Sequence, residues 1–276
     1  MIARSNRIAL LAVPGLAFLA IIYALPLVML LFKSIQGAEG LTLVTYIDFF
    51  RDEFNQTVLW RTLRVALLTT LLALVIAYPT AFAMARAKGI WLTVFMVALV
   101  LPMSLGVIVK AFAWSILFRS NGFLNTTLQA IGMTDGPVRM LFTETALIVG
   151  AANVFLPFMV LPIYSVLRQL NSSLPEAASS LGATPWFRFT RVTLPLSLPG
   201  VVAGSAFTFS LAISMYVIPS LIVGERQQTL SMLIARSFLY LRNEPLGSTI
   251  SAVLLAIAIF VVLFSSWLAG RLGARQ

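Results

Sequence analysis

The amino-acid sequence indicates an all-α, polytopic membrane protein with about six transmembrane helices. Of the 276 residues, 60% are apolar and only 10% are charged, whereas a soluble domain carries about a quarter charged residues. Apolar runs long enough to cross a bilayer recur along the chain, and polar stretches separate them. A single water-soluble core of this chain length could not enclose so much apolar surface. We therefore predict an integral membrane protein.

The first half of the chain predicts three spans. Span one covers residues 8–32, which is longer than the apolar region of a secretory signal peptide, and no small-residue cleavage site follows it. We therefore expect it to be retained. A polar loop with a short helix leads to span two at 65–85, and span three follows at 90–109. Arg86 and Lys88 lie in the tight link between these two spans, which predicts that the link faces the cytoplasm.

Three further spans are predicted in the second half, at 146–166, 194–217 and 250–268. Outside stretches precede spans four and six. In the first of these stretches, Leu124, Leu128 and Ile131 recur at helical spacing and predict a short amphipathic helix. Another outer helix is expected within 227–242. We expect residues 1–276 to form one transmembrane domain, and the density of Lys and Arg predicts that both termini are cytoplasmic.

The residue types that usually carry catalysis or bind metals are scarce. The chain has no Cys and no His, and the predicted spans contain no Asp or Glu. We therefore expect no catalytic residues, no metal site and no disulfide, and a membrane-embedded enzyme is a poor interpretation. The net charge of +10 does not indicate nucleic-acid binding, because the basic residues are scattered at span ends rather than clustered.

An energy source, if one is used, must lie outside this chain. The sequence contains no G-x-x-x-x-G-K-[ST] motif that could cradle a nucleotide. Proton-driven carriers usually hold ionisable groups at membrane depth, and the predicted spans lack them. A self-contained secondary transporter or a channel for a small solute stays an alternative, since sodium sites can be built from backbone carbonyls.

Between spans four and five, residues 171–195 carry two sharp helix signals. Ser173 is a candidate N-cap, Pro175 fits the first turn, and Glu176 has the spacing of a capping box. Glu176 also meets the positive end of the helix dipole. Gly182 then supplies the left-handed residue that ends this first helix. The sequence therefore predicts a short helix that stops at a glycine corner.

A second helix begins at Thr184-Pro185 by the same combination of a cap and a proline, and we expect it to end where span five starts. It carries Trp186, Phe187 and Phe189, together with two arginines. The two-helix unit is too small to form a core of its own, so its exposed aromatic residues need a partner surface. Alternatively, the unit lies on the bilayer with its basic residues at the headgroups.

This segment resembles the EAA signature of type I ABC importer permeases. The signature reads Glu176-Ala177-Ala178, three residues, Gly182, nine residues and Val192-Thr193-Leu194-Pro195. The family pattern has Ile where this chain has Val192, which is a conservative difference. The flanking segments 121–125, 156–164 and 199–204 are similar to the spermidine/putrescine-type branch. The resemblance runs from Ala77 to Ala256, which is most of the chain.

The resemblance implies a permease subunit, not an enzyme, in the bacterial cytoplasmic (inner) membrane. The subunit would form half of the path of an ATP-binding-cassette importer for a small solute, a polyamine or a related compound. Implied partners are a cytosolic ATPase dimer, a second permease subunit that is usually a paralogue, a solute-binding protein outside the cytoplasm, and membrane lipid. ATP and Mg²⁺ would bind the ATPase, so this chain would hold no cofactor. Closure of the ATPase would move the loop as a coupling helix and alternate access to the path.

The resemblance also implies roles for residues of the loop. Those expected to couple to the ATPase are Glu176, Ala177, Ala178, Gly182, Trp186, Phe187, Arg188, Phe189 and Arg191. Glu176 would fix the helix start, and Gly182 would permit the corner. The three aromatic rings would fill a groove of the ATPase, and the two arginines would meet its acidic rim.

Polar and aromatic residues inside or beside the spans are candidates for lining the substrate path. They are Ser104, Lys110, Trp114, Asn153, Ser214 and Tyr216. Asn153 needs a partner at membrane depth, so we expect it to face another helix or the path. Lys110 either reaches the outer headgroups or lies in the path near Trp114. Taken singly, each could instead serve only helix packing, which is the role expected of Gly200 and Gly204.

Overall fold

The structure, a computed structural model, describes residues 2–37, 40–170 and 178–273 of the chain. A short antiparallel ribbon is formed by β1 (Gln36–Gly37) and β2 (Gly40–Leu41). The helices before the loop are α1 (Ile2–Ser34), α2 (Val44–Arg51), α3 (Glu53–Arg86), α4 (Ile90–Met103), α5 (Val107–Leu117), α6 (Phe123–Ala130) and α7 (Glu144–Gln169). The helices after it are α8 (Pro185–Arg188), α9 (Leu194–Ser214), α10 (Val217–Ile222), α11 (Leu230–Leu239) and α12 (Glu244–Gly273).

Five helical stretches in the described part of the chain are long and apolar enough to cross a membrane. They are Val13–Ser34, Glu53–Arg86, Glu144–Gln169, Pro185–Ser214 and Glu244–Arg271. The number rises to six if the bent pair of α4 and α5 counts as one span. Short helices expected within the polar stretches are present as α2, α6 and α11. The prediction of an all-α protein with several membrane spans is therefore confirmed.

Span three differs from the prediction of one continuous run over 90–109. Helix α4 ends at Met103, and α5 leaves it at an angle of 97°. Pro102 has no N–H for a helical hydrogen bond, and the two amides after Met103 turn back onto carbonyls three residues earlier. Gly106, in an extended conformation, then precedes α5. As a result Lys110, expected just beyond the span, lies inside α5.

Span five also differs, because the helix begins earlier than predicted. Pro185–Ser214 forms one apolar helical stretch, so the second loop helix does not stop at the predicted start of the span. The junction is a π-helix over Phe189–Thr193, and the Leu194 amide bonds to the first carbonyl of this segment. Pro195 explains the wide turn. It lacks an N–H, and in a regular α-helix its ring would collide with the carbonyl of Arg191.

The chain folds into two compact units. The smaller unit comprises residues 1–56 and 233–255. In it, Lys33 forms an ion pair with Glu244. The Thr249 hydroxyl donates to a backbone carbonyl at the end of α1, 3.2 Å away. These interactions join the end of α1 to the start of α12.

The larger unit comprises residues 57–232 and 256–276. Its core lies between α3, α4 and α7, and alanines recur at helical spacing on α3 at positions 73, 77 and 81. Such small side chains let neighbouring helices approach closely. Met159 and Ile163 of α7 are fully buried in the same cluster. Helix α7 therefore supplies large side chains that fill the space beside the alanines.

Helix α9 packs against α7 through two glycines. A Cβ atom on Gly204 would lie 2.9 Å from the Met159 carbonyl oxygen, and one on Gly200 would lie 2.9 Å from the Pro162 carbonyl oxygen. The two helices run antiparallel, because the later glycine meets the earlier part of α7. The expectation that both glycines serve close helix packing is confirmed.

Replacing Gly204 by Leu should force α7 and α9 apart. The new side chain would begin 2.9 Å from a backbone oxygen, so we expect the free energy of unfolding to fall by about 1–3 kcal/mol. The thermal unfolding midpoint of the purified protein measures this effect. Gly270→Leu on α12 is the control, because a Cβ there would meet nothing within 4 Å. Equal midpoints for the two variants would contradict a close α7–α9 contact.

Candidate functional site

The first helix of the loop ends as predicted at Gly182, whose φ is +80°. The Ala183 amide donates to the Ala178 carbonyl at 3.0 Å, and the Gly182 amide closes a second, shorter ring at 2.9 Å. This pair of hydrogen bonds is the Schellman motif, in which a left-handed residue lets the last carbonyls of a helix find donors. The predicted first turn of this helix, with Glu176 and Ala177, lies outside the described residues.

The second helix of the loop begins at the predicted cap. The Thr184 hydroxyl accepts a hydrogen bond from the Phe187 amide at 3.3 Å, and Pro185 is the first helical residue. Thr184 has an extended backbone, which suits an N-cap, and the proline has no N–H to leave unsatisfied. The glycine corner and this cap together fix how the two helices of the loop are joined.

One surface of the loop presents large apolar side chains to the outside of the chain. Leu181 is 89% exposed and Phe187 is 52% exposed. Both line an open cavity of about 410 Å³ beside the glycine corner, together with Ala178. We call Leu181 and Phe187 the apolar loop face. A contiguous exposed apolar surface of this kind marks a contact site for another molecule.

Phe189 faces away from this surface and into the chain. Its ring packs edge-on against Tyr78 and Phe82 of α3, with centroid distances of 5.8 and 5.7 Å. This placement differs from the expectation that Phe189 is offered to a partner together with Trp186 and Phe187. The physical reason is that Phe189 begins the π-helix next to the end of α3, where two aromatic rings already form a receptive surface.

Two residues missed in the sequence analysis complete this contact. The hydroxyl groups of Tyr78 and Ser197 are 2.9 Å apart, and Ser197 is fully buried. The hydrogen bond joins α3 to α9 beyond the π-helix. A usable signal was present in the sequence, since a tyrosine within an apolar span needs a polar partner for its hydroxyl group.

The two arginines of the loop are placed differently from each other. Arg188 is half-buried, and its Nη1 donates to the Ser179 hydroxyl, which ties the second loop helix to the first. The expectation was that Arg188 meets an acidic partner, but the structure gives its Nη1 a contact within the loop. Arg191 is exposed. Arg191 is therefore the more accessible of the two for a partner.

Two candidate path residues come together in the structure. The Trp114 Nε1 donates to the Asn153 Oδ1 at 3.1 Å, so Asn153, which was expected to face another helix or the path, has a partner on α5. A Cβ on Gly150, one turn earlier on α7, would lie 3.7 Å from the indole Cγ. Asn153 is nevertheless exposed in this chain, although its neighbours on α7 are buried. A polar, hydrogen-bonding group thus lies on the open side of a candidate membrane span.

The other candidate path residues are Ser104, Lys110, Ser214 and Tyr216. Lys110 is half-buried and lies one turn before Trp114, on the same side of α5. Ser104 is exposed at the break between α4 and α5, and Tyr216 is exposed at the break between α9 and α10. The Ser214 hydroxyl donates to a carbonyl of its own helix at 2.8 Å. The structure therefore brings Lys110 near the Trp114–Asn153 pair and gives Ser214 a local bond.

Comparison with known proteins supports one family. Residues 6–276 match the family described as "Binding-protein-dependent transport system inner membrane component". The chain is 35% identical over 227 residues to the spermidine/putrescine transport system permease protein PotB of Haemophilus influenzae, covering 81% of this chain and 79% of that protein. It is 32% identical over 221 residues to PotB of Escherichia coli strain K12, covering 80% of each.

A solved structure has the same fold. It is a chain in the crystal structure of a bacterial alginate ABC transporter in complex with an alginate pentasaccharide-bound periplasmic protein. The TM-score is 0.78 at 20% identity, and the match covers 98% of this chain and 96% of the other. At this level of identity the likeness concerns the fold alone.

These matches favour the importer hypothesis over a self-contained carrier or channel. The relatives are transporter permease subunits rather than enzymes, and their membrane is the inner membrane. The resemblance found in the EAA segment is therefore confirmed by the rest of the chain. This protein belongs to the family of binding-protein-dependent transport system inner membrane components, and it is a multi-pass permease subunit of an ABC importer.

Proposed function

We propose that this subunit forms half of the translocation path and that a cytosolic ATPase dimer docks on the loop between α7 and α9. The observation that carries the proposal is the apolar loop face, where Leu181 is 89% and Phe187 is 52% exposed. The same segment bears the EAA signature. Apolar side chains on so short a connection gain most when a partner removes them from water.

In this proposal the apolar loop face enters a groove of the ATPase. Phe187 and Leu181 supply the buried contact, and the exposed Arg191 meets an acidic rim of that groove. ATP and Mg²⁺ bind the ATPase and not this chain.

Movement of the loop is passed to the spans through packed contacts. The stretch Pro185–Ser214 is helical throughout, so a displacement of the loop moves α9 with it. Gly200 and Gly204 hold α9 close to α7, and Phe189 holds the loop against α3. Closure of the ATPase therefore shifts several helices together and alternates access between the two sides of the membrane.

We propose a polyamine or a related small solute as the cargo. Support comes from the two spermidine/putrescine permeases that are 35% and 32% identical to this chain. The exposed Asn153, held by the Trp114 indole, offers a hydrogen bond to a passing cation. The predicted spans contain no Asp or Glu, so a dication would find its counter-charge elsewhere. In this proposal, a paralogous second permease subunit or the solute-binding protein that delivers the cargo supplies the counter-charge. We also propose that both termini of this chain are cytoplasmic.

Replacing Phe187 by Ala should weaken docking of the ATPase. Loss of a central apolar anchor raises a dissociation constant by about tenfold or more. Binding of the purified ATPase to the permease pair in lipid nanodiscs measures the change. Phe123→Ala on α6 is the matched control, because Phe123 is 70% exposed and lies outside the loop. If the two variants bound the ATPase equally well, the loop would not be the docking site.

Replacing Gly182 by Val should abolish stimulation of ATP hydrolysis by the binding protein. A Cβ added at this glycine would meet none of the described residues within 4 Å, so the substitution tests its φ of +80°, which a β-branched residue adopts poorly. Gly182→Asn is the control, since Asn tolerates the left-handed region and should retain most of the stimulation. Full stimulation in the Val variant would show that the glycine corner is not needed for coupling.

Removing the Trp114–Asn153 hydrogen bond should impair uptake without changing basal ATP hydrolysis. We expect Asn153→Ala and Trp114→Phe each to raise the KM of uptake about five- to tenfold, because one oriented polar contact with the cargo is lost. Uptake into proteoliposomes measures this, with Trp60→Phe as the control on an exposed indole of α3. Unchanged uptake in both variants would remove this pair from the path.

A further inference from the structure

A second cavity, of about 480 Å³, lies where the end of α3 meets the start of α8. Its walls include Arg86, Trp186, Arg188 and Phe189. Both helices belong to candidate membrane spans, and these spans meet here because the Phe189 ring lies 5.7 Å from that of Phe82. The cavity therefore lies at the ends of two candidate spans, where lipid headgroups are expected.

Two arginines give this cavity a positive charge. None of the described residues that line it is acidic. Arg188 donates its Nη1 to Ser179, but its Nε is enclosed and has no acceptor in the described part of the chain. A charged donor shut away from water is unfavourable unless an acceptor reaches it. The described walls of the cavity therefore have the character of an anion site.

Arg86 is held in a defined orientation at the same cavity. Its guanidinium lies over the Phe82 ring, 3.6 Å from the centroid. This stacking uses the flat face of the guanidinium and leaves its N–H edge available for hydrogen bonds in the plane. The stacked pair therefore presents a fork of donors rather than a freely moving charge.

We propose that this cavity binds the phosphodiester headgroup of an anionic phospholipid between Arg86 and Arg188. A phosphodiester offers two oxygens that match the N–H fork of a guanidinium. Anionic lipids are attracted to basic residues at the cytoplasmic surface, which is the side that the sequence predicts for Arg86. Trp186, 73% exposed, has the side chain that prefers the membrane interface. The volume of about 480 Å³ has room for a headgroup with its glycerol.

A lipid bound here would join α3 to the start of the α8–α9 stretch through charge, beside the aromatic contact of Phe189. The position of the loop would then depend on the lipid composition of the membrane. This site is separate from the apolar loop face, because Leu181 and Phe187 line the other cavity and not this one. Lipid binding can therefore be measured without relying on where the ATPase docks.

The test is lipid retention by the complete transporter in native mass spectrometry. The purified complex is titrated with phosphatidylglycerol, with phosphatidylcholine of the same chain length, and with inorganic phosphate. We expect phosphatidylglycerol to bind at least tenfold more tightly than phosphatidylcholine. We also expect inorganic phosphate neither to bind at comparable concentrations nor to displace the lipid. Equal retention of the two lipids, or displacement by phosphate, would overturn the assignment to a lipid headgroup.

Variants assign the binding to these two arginines. The double variant Arg86→Gln/Arg188→Gln should lose at least tenfold in affinity for phosphatidylglycerol, whereas Lys88→Gln, an exposed basic residue outside the cavity, should change it less than twofold. The double variant Arg86→Lys/Arg188→Lys keeps the positive charge but loses the planar N–H fork of the guanidinium. Its affinity for phosphatidylglycerol should lie between those of the double Gln variant and Lys88→Gln, which gives a second test if the double Gln variant is unstable. Undiminished affinity in both double variants would overturn the proposal.

Discussion

The packing of Phe189 against Tyr78 and Phe82 joins the loop to the membrane spans. On one side of this ring, the short helix α8 leads to the glycine corner and the apolar loop face. On the other side, the same helical stretch continues as α9, which the glycine contacts hold against α7. The loop is already continuous with α9 along Pro185–Ser214, and the aromatic contact adds a second link, to α3. With it, force applied at the loop has a short and stiff route into the core of the larger unit.

One backbone irregularity, the π-helix, lies in this route. A second, the break between α4 and α5, lies beside it. In lipid, every backbone donor and acceptor must find a partner, so an irregular turn is tolerated only where protein or water covers it. The π-helix keeps its donors engaged, since the Leu194 amide bonds to the Phe189 carbonyl. The 97° break between α4 and α5 exposes Ser104 in this chain.

The local features of the loop could be predicted from the sequence because their causes are local. A glycine followed by Thr184-Pro185 determines a corner and a cap within four residues, and both are present. Two residues apart on a helix, Phe187 and Phe189 point to opposite sides, but which of them faces inward depends on α3, about a hundred residues earlier in the chain. Pro102 likewise signals a disturbance of span three, but its direction and size depend on how α5 packs against other helices. The pairing of Trp114 with Asn153 was predictable as a need for a partner, and only the fold identified that partner.

The π-helix at Phe189–Thr193 has a consequence for how such a subunit can change over evolutionary time. A π turn accommodates one residue more than an α turn, and one residue corresponds to about 100° of rotation around a helix axis. Gaining or losing this extra residue would therefore rotate the side chains before the turn relative to those after it. During evolution, the apolar loop face could change its direction while the packing of the membrane helices stayed the same. Changes at this wide turn could thus reorient the loop relative to the membrane helices, and they would allow one transport path to be paired with different ATPases.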